Sequence, residues 1–136
     1  MGKKQFKNYD KESFESRKAI LDKGYYSHIL EELIQVITGL GKCTSILDVG
    51  CGEGYYTVRL HNAFHAEGTD AVCAGFDLSR DAVAHAAKRA KAAGAAETLS
   101  FAVASLFEMP VADHSADIVI NLFAPVADAE FARVLK

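Results

Sequence analysis

Apolar residues recur along this chain at two spacings, one typical of buried strands and one typical of amphipathic helices. Short apolar runs predict strands at 45–49, 72–77, about 99–104 and 116–122. Helical spacing predicts helices at 13–24, from 27 to 39 or 41, at 55–64, at 79–93 and at 128–135. Strands that alternate with helices over short connections indicate an α/β domain, with a parallel sheet of about four strands and right-handed crossovers.

A glycine-rich turn follows the first predicted strand, with the sequence Asp-Val-Gly-Cys-Gly-Glu-Gly at 48–54. Glycine at alternate positions permits positive φ angles and lets a ligand approach the backbone closely. The next helix directs N–H groups and partial positive charge towards that ligand. A turn that only connects strand and helix is disfavoured, because Asp48 stands two residues before the first of three glycines.

The spacing of these glycines bears on the ligand. It is G-x-G-x-G, whereas the dinucleotide fingerprint is G-x-G-x-x-G, and Tyr55 occupies the place of the third dinucleotide glycine. The turn therefore favours an adenosine-containing cofactor other than NAD.

The second predicted strand ends in Asp77, which lies 27 residues after Gly50. In doubly wound folds an acid at this place accepts hydrogen bonds from ribose hydroxyls, whichever adenosine cofactor is bound. Asp77 also lies just before Ser79, the predicted N-cap of the next helix, so a structural role at the helix start is an open alternative. Asp81 in the first turn and Gly94 after the last complete the end signals of this helix.

Composition narrows the class of protein. The 136 residues are 50% hydrophobic and 24% charged, as in a single globular domain, and no apolar run approaches the length of a membrane span. The first residues lack the apolar core of a signal peptide, and three cysteines without C-x-x-C spacing are typical of free thiols in a reducing compartment. We therefore expect a cytoplasmic location.

The net charge of −3 argues against an extended nucleic-acid surface, yet it is unevenly distributed. Residues 1–23 contain seven Lys/Arg and four Asp/Glu, whereas the remainder contains eight and fourteen. A basic leading segment is compatible with phosphate contacts, but solvated lysines on a helix explain it equally well.

The histidines at 61, 65 and 114 are candidates for metal binding or catalysis, and we expect neither role for them. His61 and His65 have the i, i+4 spacing of metal ligands, but no third ligand is evident, so we expect surface histidines and no metal. His114 lies in a predicted polar turn, which favours a surface position over a catalytic one.

The motif at 48–54 resembles motif I of the class I S-adenosylmethionine (SAM) methyltransferases. More widely, residues from about 11 to the end resemble the bacterial large-subunit (23S) ribosomal RNA (guanine-N1)-methyltransferases. The segments that carry this resemblance are Leu-Asp-Lys-Gly-Tyr-Tyr at 21–26, Gly-Tyr-Tyr-Thr at 54–57, Gly-Phe-Asp-Leu-Ser at 75–79, Ala-Val-Ala-Ser at 102–105, Phe-Ala-Pro at 123–125 and Glu-Phe-Ala-Arg-Val-Leu at 130–135.

The resemblance implies a Rossmann-like class I methyltransferase fold with SAM as cofactor and ribosomal RNA as partner. It implies a cofactor site made of Tyr26, Asp48, Gly50, Gly52, Tyr56, Thr57, Asp77 and Ser105. Residues 123–125 stand where amino-methyltransferases carry an Asn/Asp-Pro-Pro-aromatic motif for the acceptor nitrogen. Asn121 is two places early for that motif, so we read it as a strand-end residue with access to the pocket, and we assign no general base.

Two departures from that family concern the ends of the chain. The family begins with a cysteine/histidine zinc module and continues past the Val-Leu-Lys segment into further strands, and neither is found here. We therefore expect a flexible polar N-terminus at 1–12 and a partial SAM-binding domain at 13–136. An exposed edge of an incomplete sheet would favour a homodimer.

Three other functions remain as alternatives. They are a SAM methyltransferase of a small molecule, a non-catalytic SAM-binding or partner-binding domain, and a nicotinamide-binding domain. The last is disfavoured by the G-x-G-x-G spacing.

Overall fold

The computed structural model describes residues 27–39, 44–68, 71–122 and 124–136. These residues form helices α1 (Ser27–Gly39), α2 (Tyr55–Ala66), α3 (Arg80–Ala92) and α4 (Asp128–Val134), and strands β1 (Ser45–Val49), β2 (Val72–Asp77), β3 (Leu99–Val103) and β4 (Ile118–Ile120). The predicted N-terminus at 1–12, the predicted helix at 13–24 and Tyr26 lie outside the described residues.

The four strands form one parallel sheet in the order β3-β2-β1-β4. The chain moves outwards from β1 through β2 to β3, and β4 then lies on the other side of β1. The strand order therefore reverses between β1 and β4. In open α/β sheets, ligands bind outside the carboxyl ends of the strands at such a reversal. The predicted parallel sheet and its number of strands are confirmed.

The predicted strand bounds hold at β1 and β2, whereas β4 is shorter than predicted. Only Ile118–Ile120 form the strand, and Ala116 makes an isolated parallel bridge to Leu135. At the other end, the side chain of Asn121 accepts a hydrogen bond from the backbone N–H of Ala124, which turns the chain away from the sheet. The apolar run continues further than the strand because Leu122 still packs against the core.

Alternate residues of β1 face two separate core clusters. Ile46 belongs to a cluster formed with α1, α2 and α3 on one face of the sheet. Leu47 and Val49 belong to a second cluster on the other face. That second cluster includes Met109 from the loop after β3 and Val134 from α4. Burial of both faces explains the nearly continuous apolar strands, as expected for a parallel sheet.

Local capping signals are confirmed at α3. The Ser79 hydroxyl accepts a hydrogen bond from the backbone N–H of Ala82 at 3.2 Å, and Asp81 lies in the first turn. After the helix, Gly94 has a left-handed φ of 71°. These contacts fix where α3 begins, directly beside the end of β2.

The expectation of a solvated His61 was wrong, because its side chain is only 3% exposed. Its Nε2 lies 2.6 Å from the hydroxyl of Thr98, and its ring stacks on His65 at 4.1 Å between centroids. Burial lowers the pKa of His61 below its ordinary value of 6.5. The pair therefore joins α2 to the start of β3, while His114 is exposed as predicted.

Within the described residues, no helix is both long enough and apolar enough to span a membrane.

Candidate functional site

The glycine turn between β1 and α2 has the backbone that its sequence predicted. Gly50, Gly52 and Gly54 have φ angles of 70°, 58° and 82°, all in the left-handed region that favours glycine. The N–H groups of Gly50 and Cys51 both donate to the carbonyl oxygen of Phe76, at 2.8 and 3.0 Å. The turn is therefore attached to the neighbouring strand β2 just before that strand ends.

Asp77, the last residue of β2, joins the turn to the start of α3. Its Oδ2 accepts a hydrogen bond from the N–H of Gly52 at 2.9 Å, and its Oδ1 accepts one from the N–H of Ser79 at 2.9 Å. A carboxylate offers about four lone-pair positions, so about half of this capacity remains for a ligand. Asp77 is half-buried, which leaves it accessible at the carboxyl edge of the sheet.

Asp48 lies beneath the turn and not at its surface. It is 3% exposed, and its Oδ2 accepts a hydrogen bond from the Thr57 hydroxyl at 2.6 Å. Burial raises the pKa of Asp48 from 3.8 to about 7; the Thr57 bond lowers it, and the nearby Asp77 charge raises it. The Asp48–Thr57 pair thus connects the end of β1 to the first turn of α2, where it supports the glycine turn from inside.

The other predicted site residues are placed in three different ways. Tyr56 is 5% exposed, and its ring makes an edge contact with Tyr55 at 5.1 Å between centroids within the core. Ser105 is half-buried after β3, and its hydroxyl accepts a hydrogen bond from the N–H of Phe107. The N–H of Ala104 donates to the carbonyl oxygen of Asp77 at 3.1 Å, which brings the end of β3 beside the acid. Tyr26 lies outside the described residues.

Two residues near this edge were missed by sequence reasoning. Leu78 is 54% exposed directly after Asp77, and it lines an open depression with Ser79 and Arg80. The sequence did contain a signal for Leu78, because this apolar residue stands between a strand-end acid and a helix cap. Gly75 was the other: a Cβ atom there would lie 2.6 Å from the Phe101 ring and 2.9 Å from the Cys51 sulfur. Nothing local to Gly75 reveals that restriction.

Among the residues that the structure describes, no three His, Cys, Asp or Glu side chains are grouped as a metal site would require. Cys51 and Cys73 are free cysteines, and both are buried, which was not predicted from the sequence.

Together, the parallel sheet, the reversal of strand order and the acid-held glycine turn define a Rossmann-like class I methyltransferase fold. A family model described as a methyltransferase domain matches residues 40–136. The chain therefore belongs to the methyltransferase domain family.

Similar proteins agree with this assignment. The chain is 32% identical over 133 residues to YxjB of Bacillus subtilis, which is provisionally assigned as a 23S rRNA (guanine-N1)-methyltransferase. It is 31% identical over 125 residues to the 23S rRNA (guanine(748)-N1)-methyltransferase of Streptomyces fradiae. These matches cover 95% and 89% of this chain but 45% and 41% of the relatives, so the chain spans less than half of their length.

A solved structure supports the fold. The crystal structure of a provisionally assigned SAM-dependent methyltransferase of Methanococcus maripaludis superimposes with a TM-score of 0.78 at 20% sequence identity. The superposition covers 93% of this chain and 59% of that one.

Proposed function

We propose that this domain binds SAM at the carboxyl ends of β1 and β2, beside the crevice between β1 and β4, and serves methyl transfer to N1 of a guanine in large-subunit ribosomal RNA. The observation that carries the proposal is the hydrogen bond from the Gly52 N–H to the Asp77 carboxylate. This bond places an acid with spare acceptor capacity against a glycine turn whose φ angles are left-handed. This hydrogen bond lies at the carboxyl edge of the sheet, beside the reversal of strand order, where ligands of open α/β sheets bind.

The described residues divide between contact with the cofactor and support of its site. Asp77 would accept hydrogen bonds from the ribose hydroxyls, and Leu78 and Ser105 would flank the adenine. Gly50 and Gly52 would allow the methionine part to approach the backbone. Asp48, Thr57 and Tyr56 are buried, so they would act on the turn from within the fold, and Tyr26 completes the proposed set.

The acceptor is proposed from the relatives. Both carry names of 23S rRNA guanine-N1 methyltransferases, and both match along most of this chain. Bound SAM supplies a methyl group on a sulfonium whose sulfur keeps the bonding electrons when the methyl leaves. The chain's part is to hold donor and acceptor in line, which accounts for much of the rate gain in such reactions. Guanine N1 must lose its proton to solvent or to a general base, and the guanine must leave its stack to reach the crevice.

The same proposal extends to location and assembly. Methylation of ribosomal RNA would take place in the cytoplasm, where buried free thiols such as Cys51 and Cys73 are stable. Among the residues that the structure describes, β4 pairs with β1, and Ala116, just before β4, makes an isolated bridge to Leu135. Pairing of a second copy along β4 is the proposed route to a homodimer.

Two measurements test the proposal in order. Titration calorimetry of the chain with SAM, S-adenosylhomocysteine (SAH) and NAD should show binding of the first two and none of NAD. NAD binding without SAM binding would contradict the cofactor. Incubation with methyl-labelled SAM and a guanine-containing hairpin of large-subunit ribosomal RNA should then yield N1-methylguanine by nucleoside mass spectrometry. SAM binding with no labelled guanine would contradict the acceptor but not the cofactor.

A further inference from the structure

The side chain of Asn121 makes two hydrogen bonds to described residues that follow β4. The amide of Asn121 uses both of its functional ends within this segment. Its Oδ1 accepts a hydrogen bond from the N–H of Ala124 at 3.1 Å, and its Nδ2 donates to the carbonyl oxygen of Pro125 at 2.9 Å. A single side chain is thus hydrogen-bonded to Ala124 and to Pro125. We call the described residues 121, 122, 124 and 125 the post-β4 loop.

This loop lies directly over the glycine turn. Ile120 is the register partner of Asp48, so Asn121 follows at the level of Val49, the last residue before Gly50. Ala124 reaches the turn itself: a Cβ atom built on Gly50 would lie 2.6 Å from the Ala124 methyl carbon. The Ala124 methyl therefore occupies the space that a side chain at position 50 would need. Glycine is required there for contact with the loop as well as for its positive φ.

We propose that Asn121 is a positioning residue for methyl transfer: its amide holds the Ala124 methyl against Gly50, and so sets the wall of the crevice at its β4 side. The inference rests on the proposed function for its reaction, but its contacts come from the fold alone. Asn121 is a positioning residue and not a catalytic one, because the role proposed for it is exerted through its hydrogen bonds to the loop's own backbone and not on the reacting atoms.

The chemistry of the amide makes the inference specific. The loop needs an acceptor facing the Ala124 N–H and a donor facing the Pro125 carbonyl, and asparagine supplies both. Asn121→Asp keeps the acceptor but places a second acceptor against the Pro125 carbonyl oxygen. Asn121→Ala removes both groups. The cofactor contacts proposed for Gly52, in the turn after β1, and for Asp77, at the end of β2, do not involve Asn121 and are kept in both substitutions. Gly50 also keeps the hydrogen bond from its N–H to the Phe76 carbonyl oxygen. Cofactor affinity and transfer rate should therefore separate.

The first experiment needs no catalytic activity. Alanine methyl groups are labelled with carbon-13, and the Ala124 signal is identified by its absence in Ala124→Gly. In the wild-type chain this signal should shift on addition of saturating SAM or SAH, because Ala124 stands on the glycine turn. In Asn121→Ala the shift should be lost although calorimetry gives SAM and SAH affinities within about threefold of wild type. An Ala124 signal that ignores both ligands in the wild-type chain would overturn the inference.

The second experiment measures single-turnover methyl transfer to the ribosomal RNA hairpin at saturating SAM. Asn121→Ala should slow transfer by at least about tenfold while SAM stoichiometry stays at the wild-type value, because small misplacements of reacting groups carry large rate penalties. Asn121→Asp should slow transfer at least as much, because a carboxylate oxygen would face the Pro125 carbonyl oxygen without a hydrogen between them. Gln35→Ala, an exposed amide on α1, is the control and should match wild type.

The outcomes of the two experiments are distinct. A normal transfer rate in Asn121→Ala would overturn the positioning role. Loss of SAM stoichiometry in parallel with rate would also overturn it, because that pattern indicates a folding defect. Absence of transfer in the wild-type chain would contradict the proposed acceptor, and the Ala124 signal alone would then decide the inference.

Discussion

The carboxylate of Asp77 accepts a hydrogen bond from the backbone N–H of Gly52 at 2.9 Å, so the acid that ends β2 holds the glycine turn that follows β1. Its other oxygen accepts a hydrogen bond from the N–H of Ser79 at the start of α3. The sequence left open whether this acid binds a ribose or flanks a helix. The geometry accommodates both roles in one carboxylate, because each oxygen has a further lone pair.

Asp77→Ala should weaken SAM binding by about 1–3 kcal/mol, or about 5- to 150-fold in the dissociation constant. The substitution removes the proposed acceptors for the ribose hydroxyls and releases the Gly52 N–H. Titration calorimetry measures the change. Asp128→Ala, which removes an exposed acid from the first turn of α4, should leave the affinity unchanged. An unaltered affinity in a folded Asp77→Ala variant would leave this acid with the helix-flanking role alone.

Gly52→Val should abolish measurable SAM binding while the strands and helices persist. Valine at a φ of 58° is strained, and its side chain would occupy space that the ligand needs. Gly68→Val is the matched control, since Gly68 also has a positive φ of 81° but a Cβ there would meet no atom within 4 Å. Both variants should lose stability by about 1–2 kcal/mol or more from backbone strain. Only Gly52→Val should lose SAM binding. Calorimetry that finds wild-type affinity in Gly52→Val would identify the turn as purely structural.

The buried Asp48 should make stability depend on pH in a defined direction. Its pKa of about 7 in the folded chain lies above the ordinary 3.8, so the folded state binds this proton more tightly than the unfolded chain. Its stabilising contribution is full below pH 4, falls as the pH rises from about 4 to about 7, and is constant above that. The slope has a ceiling of about 1.4 kcal/mol per pH unit.

Asp48→Asn should remove this dependence, because the amide oxygen still accepts the Thr57 hydrogen bond but cannot ionise. Urea unfolding of both proteins between pH 4 and 8 gives the difference. Groups that do not interact with Asp48 cancel in it, among them His61, whose lowered pKa makes stability fall as the pH drops below about 6.5. A difference that stays constant across this window would show that Asp48 titrates near its ordinary value.

Gly75→Ala should destabilise the fold by about 1–3 kcal/mol. The new methyl group would meet the Phe101 ring at 2.6 Å and the Cys51 sulfur at 2.9 Å, in a well-packed part of the core. Gly39→Ala is the control, because a Cβ there has open space and should change stability little. Phe101→Leu should recover part of the loss in the double variant. Full stability of Gly75→Ala on its own would show that the Phe101 ring moves freely.

Much of the fold follows from patterns that are local in the sequence. The bounds of β1 and β2 were predicted to the residue, because each is a short apolar run with a polar or glycine-rich turn after it. The cap at Ser79 and the left-handed Gly94 depend on residues three or four positions away. The three turn glycines permit the positive φ angles that the turn adopts, because glycine has no Cβ atom.

The tertiary structure decided the contacts between segments that are distant in the sequence. The burial of His61 depends on Thr98, and the restriction on Gly75 depends on Phe101. The hydrogen bond from Gly52 to Asp77 depends on the parallel register of the strands, and so does the close approach of Ala124 to Gly50. The chain's residues determined by themselves that an adenosine-type turn forms at 48–54, since backbone freedom and alternation are local properties. Which side chains surround that turn is a matter of strand order, because in a parallel sheet the neighbours come from crossovers tens of residues long.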